Sequence, residues 1–204
     1  MEENTDRLLL IFTRNPKLGK CKTRLAATLG DQAALDVYMI LLRHTAEITK
    51  DLNCLKEVYY SEEIPENDLW DKDIYAKQLQ EGNDLGERMY NAFKSGFQKG
   101  YQKIIIIGSD IYDLNSETIE AGFNSLENSD FVIGPAADGG YYLLGMNSLN
   151  QEVFLNKNWG SDKVLETTLN NLAHKKVTLL QTKNDIDVYE DLKEFDVFQS
   201  FVKI

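Results

Sequence analysis

Short apolar runs alternating with longer stretches of helical periodicity constrain this chain more than any other feature. Leu8 to Phe12 is apolar throughout and Lys103 to Gly108 holds four consecutive isoleucines, as strands buried on both faces do, and each is followed by polar, turn-forming residues. Further strands are expected at Leu55 to Tyr60, Phe131 to Pro135, Tyr141 to Met146 and near Val177 to Gln181. Between them, helical spacing runs from Asp31 to about Lys50, where Ala34, Val37, Tyr38, Leu41, Leu42, Thr45 and Ile48 share a face. Asn83 or Asp84 can cap a second helix with the stripe Leu85, Met89, Phe93 and Phe97, and Gly100 stands just beyond its end. Asn115 to Leu126, Lys163 to His174 and Val188 to Phe198 read as three more. This alternation has the spacing of βαβ units, so the expected fold class is α/β with a mostly parallel sheet covered by helices on both faces. No linker or repeat interrupts it, and residues 1–204 are expected to form a single domain.

The formal net charge of -11 opposes gripping a polyanion with the general surface, so neither nucleic acid nor anionic membrane is an expected partner. The apolar runs are too short to span a bilayer, the N-terminus is acidic and polar, and two distant cysteines make no disulfide framework or zinc motif. A reducing, cytoplasmic setting is expected. Against this acidity, Arg14, Lys17, Lys20, Lys22 and Arg24 stand together with no acidic residue among them.

Open sheets bind ligands beyond the carboxyl ends of their strands, which singles out the loop after the first strand, the Gly108-Ser109-Asp110 turn and Asp185-Ile186-Asp187. The basic segment could wrap a di- or triphosphate, with Arg14, Lys17, Lys22 and Arg24 neutralising charge; a solvated, mobile loop is the alternative. It is neither a Walker loop nor a GxGxxG fingerprint. Cys21 within it reads as a passive thiol. Asp110 could ligate Mg²⁺ or Mn²⁺ on substrate phosphates, or cap a turn; Asp185 and Asp187 could join it, or cap the last helix. Asp138, in the tight turn Asp138-Gly139-Gly140, could sit beside an acceptor as base or orienting group. Gln78, Asp84 and Arg88 surround a helix start and could contact base, ribose or phosphate, with a surface ion pair as the plain alternative for Arg88. Trp159 reads as a packing anchor, and neither His44 nor His174 has a partner pattern for catalysis.

Taken together, Lys22-Thr23-Arg24-Leu25, the stretch Gln78 to Met89, Gly108-Ser109-Asp110, Gly134 to Tyr142 and Asp185-Ile186-Asp187 resemble a family of small bacterial proteins of the GT-A fold. These are known as glycosyltransferase-like or radical-SAM/selenodomain-associated transferases, and are similar to 2-phospholactate guanylyltransferase and molybdenum-cofactor nucleotidyltransferases. The resemblance implies a three-layer GT-A domain in which Lys22 and Arg24 hold nucleotide phosphates and Asp110, Asp185 and Asp187 hold Mg²⁺. The chain departs from the family at Tyr112, where proline is frequent, and at Val188, where threonine is; neither change removes a metal ligand.

Three functions compete, with nucleotidylyl transfer the leading expectation and the other two its alternatives. Nucleotidylyl transfer from a nucleoside triphosphate to a small phosphorylated acceptor suits the basic loop and a site with no obvious nucleophile. Glycosyl transfer from a nucleotide-sugar would use the same metal carboxylates, with Asp138 as base toward a hydroxyl acceptor. A non-catalytic nucleotide-binding module is the third, against which the intact aspartates stand. Base, acceptor and oligomeric state are not legible.

Overall fold

The computed structural model describes residues 6–202; Met1 to Thr5 of the acidic N-terminus, and residues 203–204, lie outside the described residues. The chain runs β1 (Arg7–Thr13), α1 (Thr23–Leu29), α2 (Asp31–Thr49), β2 (Leu55–Tyr60), β3 (Ala76–Leu79), α3 (Leu85–Gln98), β4 (Lys103–Ile107) and α4 (Ser116–Ser125). It continues with β5 (Phe131–Pro135), β6 (Tyr141–Met146), α5 (Val164–Asn171) and β7 (Val177–Leu179), then ends in two 3-10 turns, Tyr189–Glu194 and Asp196–Phe198.

The seven strands form one sheet in the order β3-β2-β1-β4-β6-β5-β7, all parallel except β6. Side chains alternate along β1: Leu9 and Ile11 pack under α1, α2 and α4, while Leu8 and Leu10 pack under α3 and α5. Two apolar layers therefore enclose the sheet, which is why β1 and β4 carry unbroken apolar runs.

The single reversal decides where the loops go. Because β6 is antiparallel to β4, with Leu143 opposite Ile107, its first residue lies at the edge where β4 ends. The β5–β6 hairpin turn thus meets the loops that leave β1 and β4. A bridge from Ala136 to Lys183 brings the segment after β7 to the same edge.

Three expectations change. The terminal helix over Val188 to Phe198 is instead a pair of 3-10 turns broken at Phe195, whose backbone is extended at φ -128° and ψ 127°. Tyr189, Leu192, Phe195 and Phe198 recur every three residues, the period that keeps side chains on one face of a 3-10 turn. The short helix α1 and the edge strand β3 were not expected: α1 follows directly on the basic loop, and β3 holds only four residues, Ala76–Leu79, without apolar alternation. Helix α5 is shorter than its periodicity suggests, ending at Asn171.

Candidate active site

The loop after β1 forms a shelf anchored at its base by hydrogen bonds. The Tyr38 hydroxyl, from α2, contacts Thr13 Oγ1 at 3.0 Å, accepts from the Arg14 amide at 2.9 Å and lies 3.4 Å from Ser109 Oγ. Asn15 is buried and donates to the Glu63 carbonyl at 2.7 Å while accepting from the Glu62 amide at 2.9 Å. Cys21 Sγ donates to the Asn15 carbonyl, and burial pushes this thiol up despite the cations of Arg14 and Lys22. These contacts tie the base of the loop to α2 and to the segment after β2, while Leu18, Gly19 and Lys20 at its tip are exposed. Tyr38 and Asn15 escaped sequence reading because Tyr38 looks like one more apolar residue on a helix face.

At the end of the shelf the backbone of Lys22 takes the left-handed conformation, φ 47°, directly before α1. Such a backbone in a residue other than glycine needs its surroundings to hold it. Its ammonium lies 3.1 Å from Asp110 Oδ2 and 3.9 Å from Asp187 Oδ1, and the side chain is only 7% exposed. Burial works against the ammonium's charge, but Asp110, Asp187 and Asp185 more than offset it, and its pKa is raised. Arg24, on the exposed face of α1, reaches Asp187 Oδ2 at 2.9 Å. The Ile186 amide donates to the Asp110 carbonyl at 3.0 Å, so Asp185-Ile186-Asp187 is hydrogen-bonded to the end of β4. Asp191 fixes the far side, accepting from the amides of Asp187 and Val188 at 2.8 Å each.

Asp185 stands among acids. Its carboxyl is raised to about 6, first by burial, then by the charge of Asp110, with Asp138 adding to the effect and Lys22 opposing it. Asp138 itself is exposed in the hairpin turn, where Oδ1 accepts from the Gly140 amide at 2.9 Å. Gly139, at φ +90°, lets the segment before α5 press on that turn: a Cβ there would sit 2.2 Å from the Asp162 carbonyl oxygen.

Among the described residues no group of three or more His, Cys, Asp or Glu is gathered closely enough to hold a metal ion unaided. The donor set nevertheless suits Mg²⁺ or Mn²⁺. Its ligands would be hard carboxylate oxygens, and Mg²⁺ commonly takes one or two carboxylates, the rest coming from water and substrate phosphates. Asp185 is raised first by burial and then by the charge of Asp110, and a cation between the two carboxylates would favour its ionised form.

The remaining expected residues lie apart from this cluster. Lys17 turns away to Glu62 and Glu63, at 2.9 and 2.8 Å. The side chains of Arg14 and Lys20 pair with no carboxylate among the described residues, and both residues are exposed. Gln78 sits on the edge strand β3, opposite Tyr59. Asp84 caps α3, accepting from the Glu87 amide at 2.8 Å. Arg88 reaches back to the Gly82 carbonyl at 3.1 Å, with the Gln80 side chain at 3.5 Å. Gln80, not singled out in the sequence, ties β3 to the shelf by donating to the carbonyls of Thr13 and Tyr59 at 3.1 and 3.0 Å. Tyr112 packs against His44, Phe195 and Phe198, joining the loop after β4 to the C-terminal turns.

On the other side of the acids opens a cavity of about 290 Å³. Asp110, Asp138 and Asp185 line one end; Phe12, Leu85, Met89, Tyr141, Trp159 and Val164 form the apolar wall. Trp159 lies edge-to-face with Tyr141, centroids 6.5 Å apart, and packs on α3 at Gly86, where a Cβ would fall 2.6 Å from the indole. The anchor expected of Trp159 is therefore also a wall of the site. No lysine or arginine is among the lining residues described, so the cavity has no cation on its walls to neutralise a phosphorylated acceptor.

Comparison with solved structures places the fold. A Desulfovibrio desulfuricans G20 protein, described as a candidate nucleotide-diphospho-sugar transferase, is 29% identical, with TM-score 0.85 over 95% of this chain and 87% of its own. A 4-diphosphocytidyl-2C-methyl-D-erythritol synthase matches at TM-score 0.59 and 13% identity, covering 96% of this chain and 99% of its own. A cytidylyltransferase from Leptospira borgpetersenii matches at TM-score 0.57 and 15% identity, covering 98% and 89%. The chain thus has the nucleotide-diphospho-sugar transferase fold. Among curated proteins none matches it. Residues 44–161, more than half the chain, match a bacterial family, and the chain belongs to it: the family described as "Uncharacterized protein conserved in bacteria (DUF2064)".

Proposed function

We propose that the protein is a metal-dependent transferase that binds a nucleotide donor by its phosphates at the Lys22–Asp110–Asp187 cluster and transfers the donor's sugar to an acceptor in the adjoining cavity. The observation that carries this reading is the continuity of the two: Asp110 faces the Lys22 ammonium and also lines a cavity without a cation on its walls. Among the described residues, the cations beside the aspartates that a nucleotide's negative charge could meet are those of the shelf and α1: Lys22, Arg24, Arg14 and Lys20. The 29% identical Desulfovibrio protein, described as a candidate nucleotide-diphospho-sugar transferase, supports the same reading.

Asp110 and Asp185, with Asp187, are the residues that would hold Mg²⁺ or Mn²⁺. When bound, the ion offsets charge on the diphosphate leaving group. Lys22 neutralises a phosphate oxygen from a fixed, buried position, so little reorganisation is needed during reaction. The aromatic wall excludes water from the acceptor side. Asp138, at the mouth of the cavity, orients the acceptor hydroxyl and takes its proton as that oxygen bonds to the sugar's anomeric carbon. The bond from that carbon to the diphosphate oxygen breaks, and the nucleoside diphosphate leaves with the electron pair.

Nucleotidylyl transfer from a triphosphate to a small phosphorylated acceptor is the second reading. Arg14 and Lys20, exposed and in no ion pair among the described residues, favour it, since they are available to the longest phosphate chain. In that case the acceptor oxygen attacks the α-phosphorus and pyrophosphate leaves.

Thermal stabilisation by nucleoside triphosphates and by UDP- and GDP-sugars, with Mg²⁺, Mn²⁺ or EDTA, separates the two. A ligand at a hundred times its dissociation constant adds about 2.7 kcal/mol to the folded state. Selective, metal-dependent stabilisation by a nucleotide-sugar, lost in Asp110→Ala, is the expected result. Selective stabilisation by a triphosphate would establish the second reading. No shift with any nucleotide would overturn both.

A further inference from the structure

The acceptor cavity has a chemistry of its own. Its body is aromatic and aliphatic, its polar end consists of Asp110, Asp138 and Asp185, and the cations nearest in sequence are engaged elsewhere. Lys163 pairs with Glu166 at 3.2 Å, Lys157 donates to Asn171 at 2.8 Å, and Arg88 is held by the Gly82 carbonyl. Lys22 touches Asp110 from the shelf side, and in the transferase reading it and the ion at Asp110 and Asp185 are taken up by the nucleotide's own phosphates. A second anion then finds no cation on the cavity walls, whereas an apolar body would lose only water.

A second observation points to a ligand. Tyr141, on β6, lines the cavity, yet its hydroxyl is shut off from solvent and has no hydrogen-bond partner among the described residues. A buried hydroxyl left without a partner destabilises the fold. A ring needed only for packing against Trp159 would be better made by phenylalanine, so the hydroxyl calls for a partner that arrives with the substrate.

We propose that the acceptor is a neutral, hydroxyl-bearing molecule with a flat apolar or aromatic body, seated against Trp159 and Tyr141. Its reacting hydroxyl lies at Asp138, and a second polar atom pairs with the Tyr141 hydroxyl as the entering body turns the ring that now shields this oxygen from the cavity. Tyr141 is thereby the residue that selects the acceptor. This rests on the transferase reading for the word acceptor, but not for the binding chemistry of the cavity.

The test compares two probes on the full chain by calorimetric titration: phenyl β-D-glucopyranoside, neutral and aromatic, and glucose 1-phosphate, an anion of similar size. The phenyl glucoside is expected to bind at least tenfold more tightly to the wild type. Tyr141→Phe is expected to melt higher than wild type without ligand and to bind the phenyl glucoside several-fold more weakly. Leu85→Lys, at an exposed position on the cavity wall, keeps the fold and is expected to shift preference several-fold toward glucose 1-phosphate. Tighter binding of glucose 1-phosphate by the wild type overturns the proposal. So does failure to bind the phenyl glucoside at millimolar concentration, or an unchanged affinity in Tyr141→Phe. Should the expected pattern hold while no nucleotide raises the melting temperature, the transferase reading falls and the cavity assignment stands.

Discussion

The Lys22 ammonium lies 3.1 Å from Asp110 Oδ2, joining the loop that leaves β1 to the end of β4 across 88 residues of sequence. The pair sits where the shelf, the aspartate segment before the C-terminal turns and the cavity meet. Its lysine is buried while its aspartate is 40% exposed, so one partner is fixed and the other open to a ligand.

Removing the Lys22 side chain leaves Asp110, Asp185 and Asp187 facing one another. Lys22→Ala is expected to lose about 1–3 kcal/mol in urea denaturation, below the figure for a fully buried pair because the carboxylates are partly solvated. Lys22→Gly loses the same ion pair but adopts the left-handed backbone without strain, and should retain roughly 1 kcal/mol more than the alanine variant. Equal losses would show that the φ of 47° carries no strain.

Asp185 gives the fold a defined pH dependence. Its carboxyl is raised to about 6 in the folded chain from an ordinary value of 3.8. Between these values the folded state binds a proton that the unfolded chain has released. This group's contribution is therefore fully favourable below 3.8 and is lost as pH rises through 6. Asp185→Asn should raise the melting temperature at pH 7, leave it nearly unchanged near pH 4 and abolish stabilisation by nucleotide with Mg²⁺. Melting curves of both proteins from pH 4 to 7.5 check the sign.

Neither cysteine should behave as a reactive thiol. Burial pushes Cys54 up to about 12, and the same cause raises Cys21 in spite of its cationic neighbours. At pH 8 the native chain should alkylate at Cys54 on the order of a thousandfold more slowly than an exposed cysteine, because the thiolate is the reacting form. Iodoacetamide labelling followed by mass spectrometry, with and without urea, measures this.

The hairpin turn that carries Asp138 depends on Gly139. Alanine there would combine a φ of +90° with a Cβ 2.2 Å from the Asp162 carbonyl oxygen. Gly139→Ala is expected to cost about 2 kcal/mol or more and to part the turn from the segment carrying Trp159. The checks are chemical denaturation and a red shift in tryptophan emission as Trp159 gains solvent.

By itself the sequence determined the strands β1, β2, β4, β5 and β6 and the helices α2, α3 and α4, because apolar periodicity is a local signal that burial on two faces makes strong. It also singled out Lys22, Arg24, Asp110, Asp138, Asp185 and Asp187, since charge at the carboxyl end of a buried strand is conspicuous without coordinates. What it could not hold was the pairing between distant segments. Only the tertiary structure reversed β6 and so carried Asp138 to the edge where β4 ends. The fold also turned Lys17 toward Glu62 and Glu63, and replaced the terminal helix by 3-10 turns that Tyr112 packs against. The acceptor cavity is likewise a product of the fold: Phe12, Met89, Tyr141 and Trp159 each look like core residues in sequence, and only their assembly around the aspartates leaves a space that a substrate can fill. Propensity and periodicity act over a few residues, whereas a site is the meeting of segments whose separation in sequence says nothing about their distance in space.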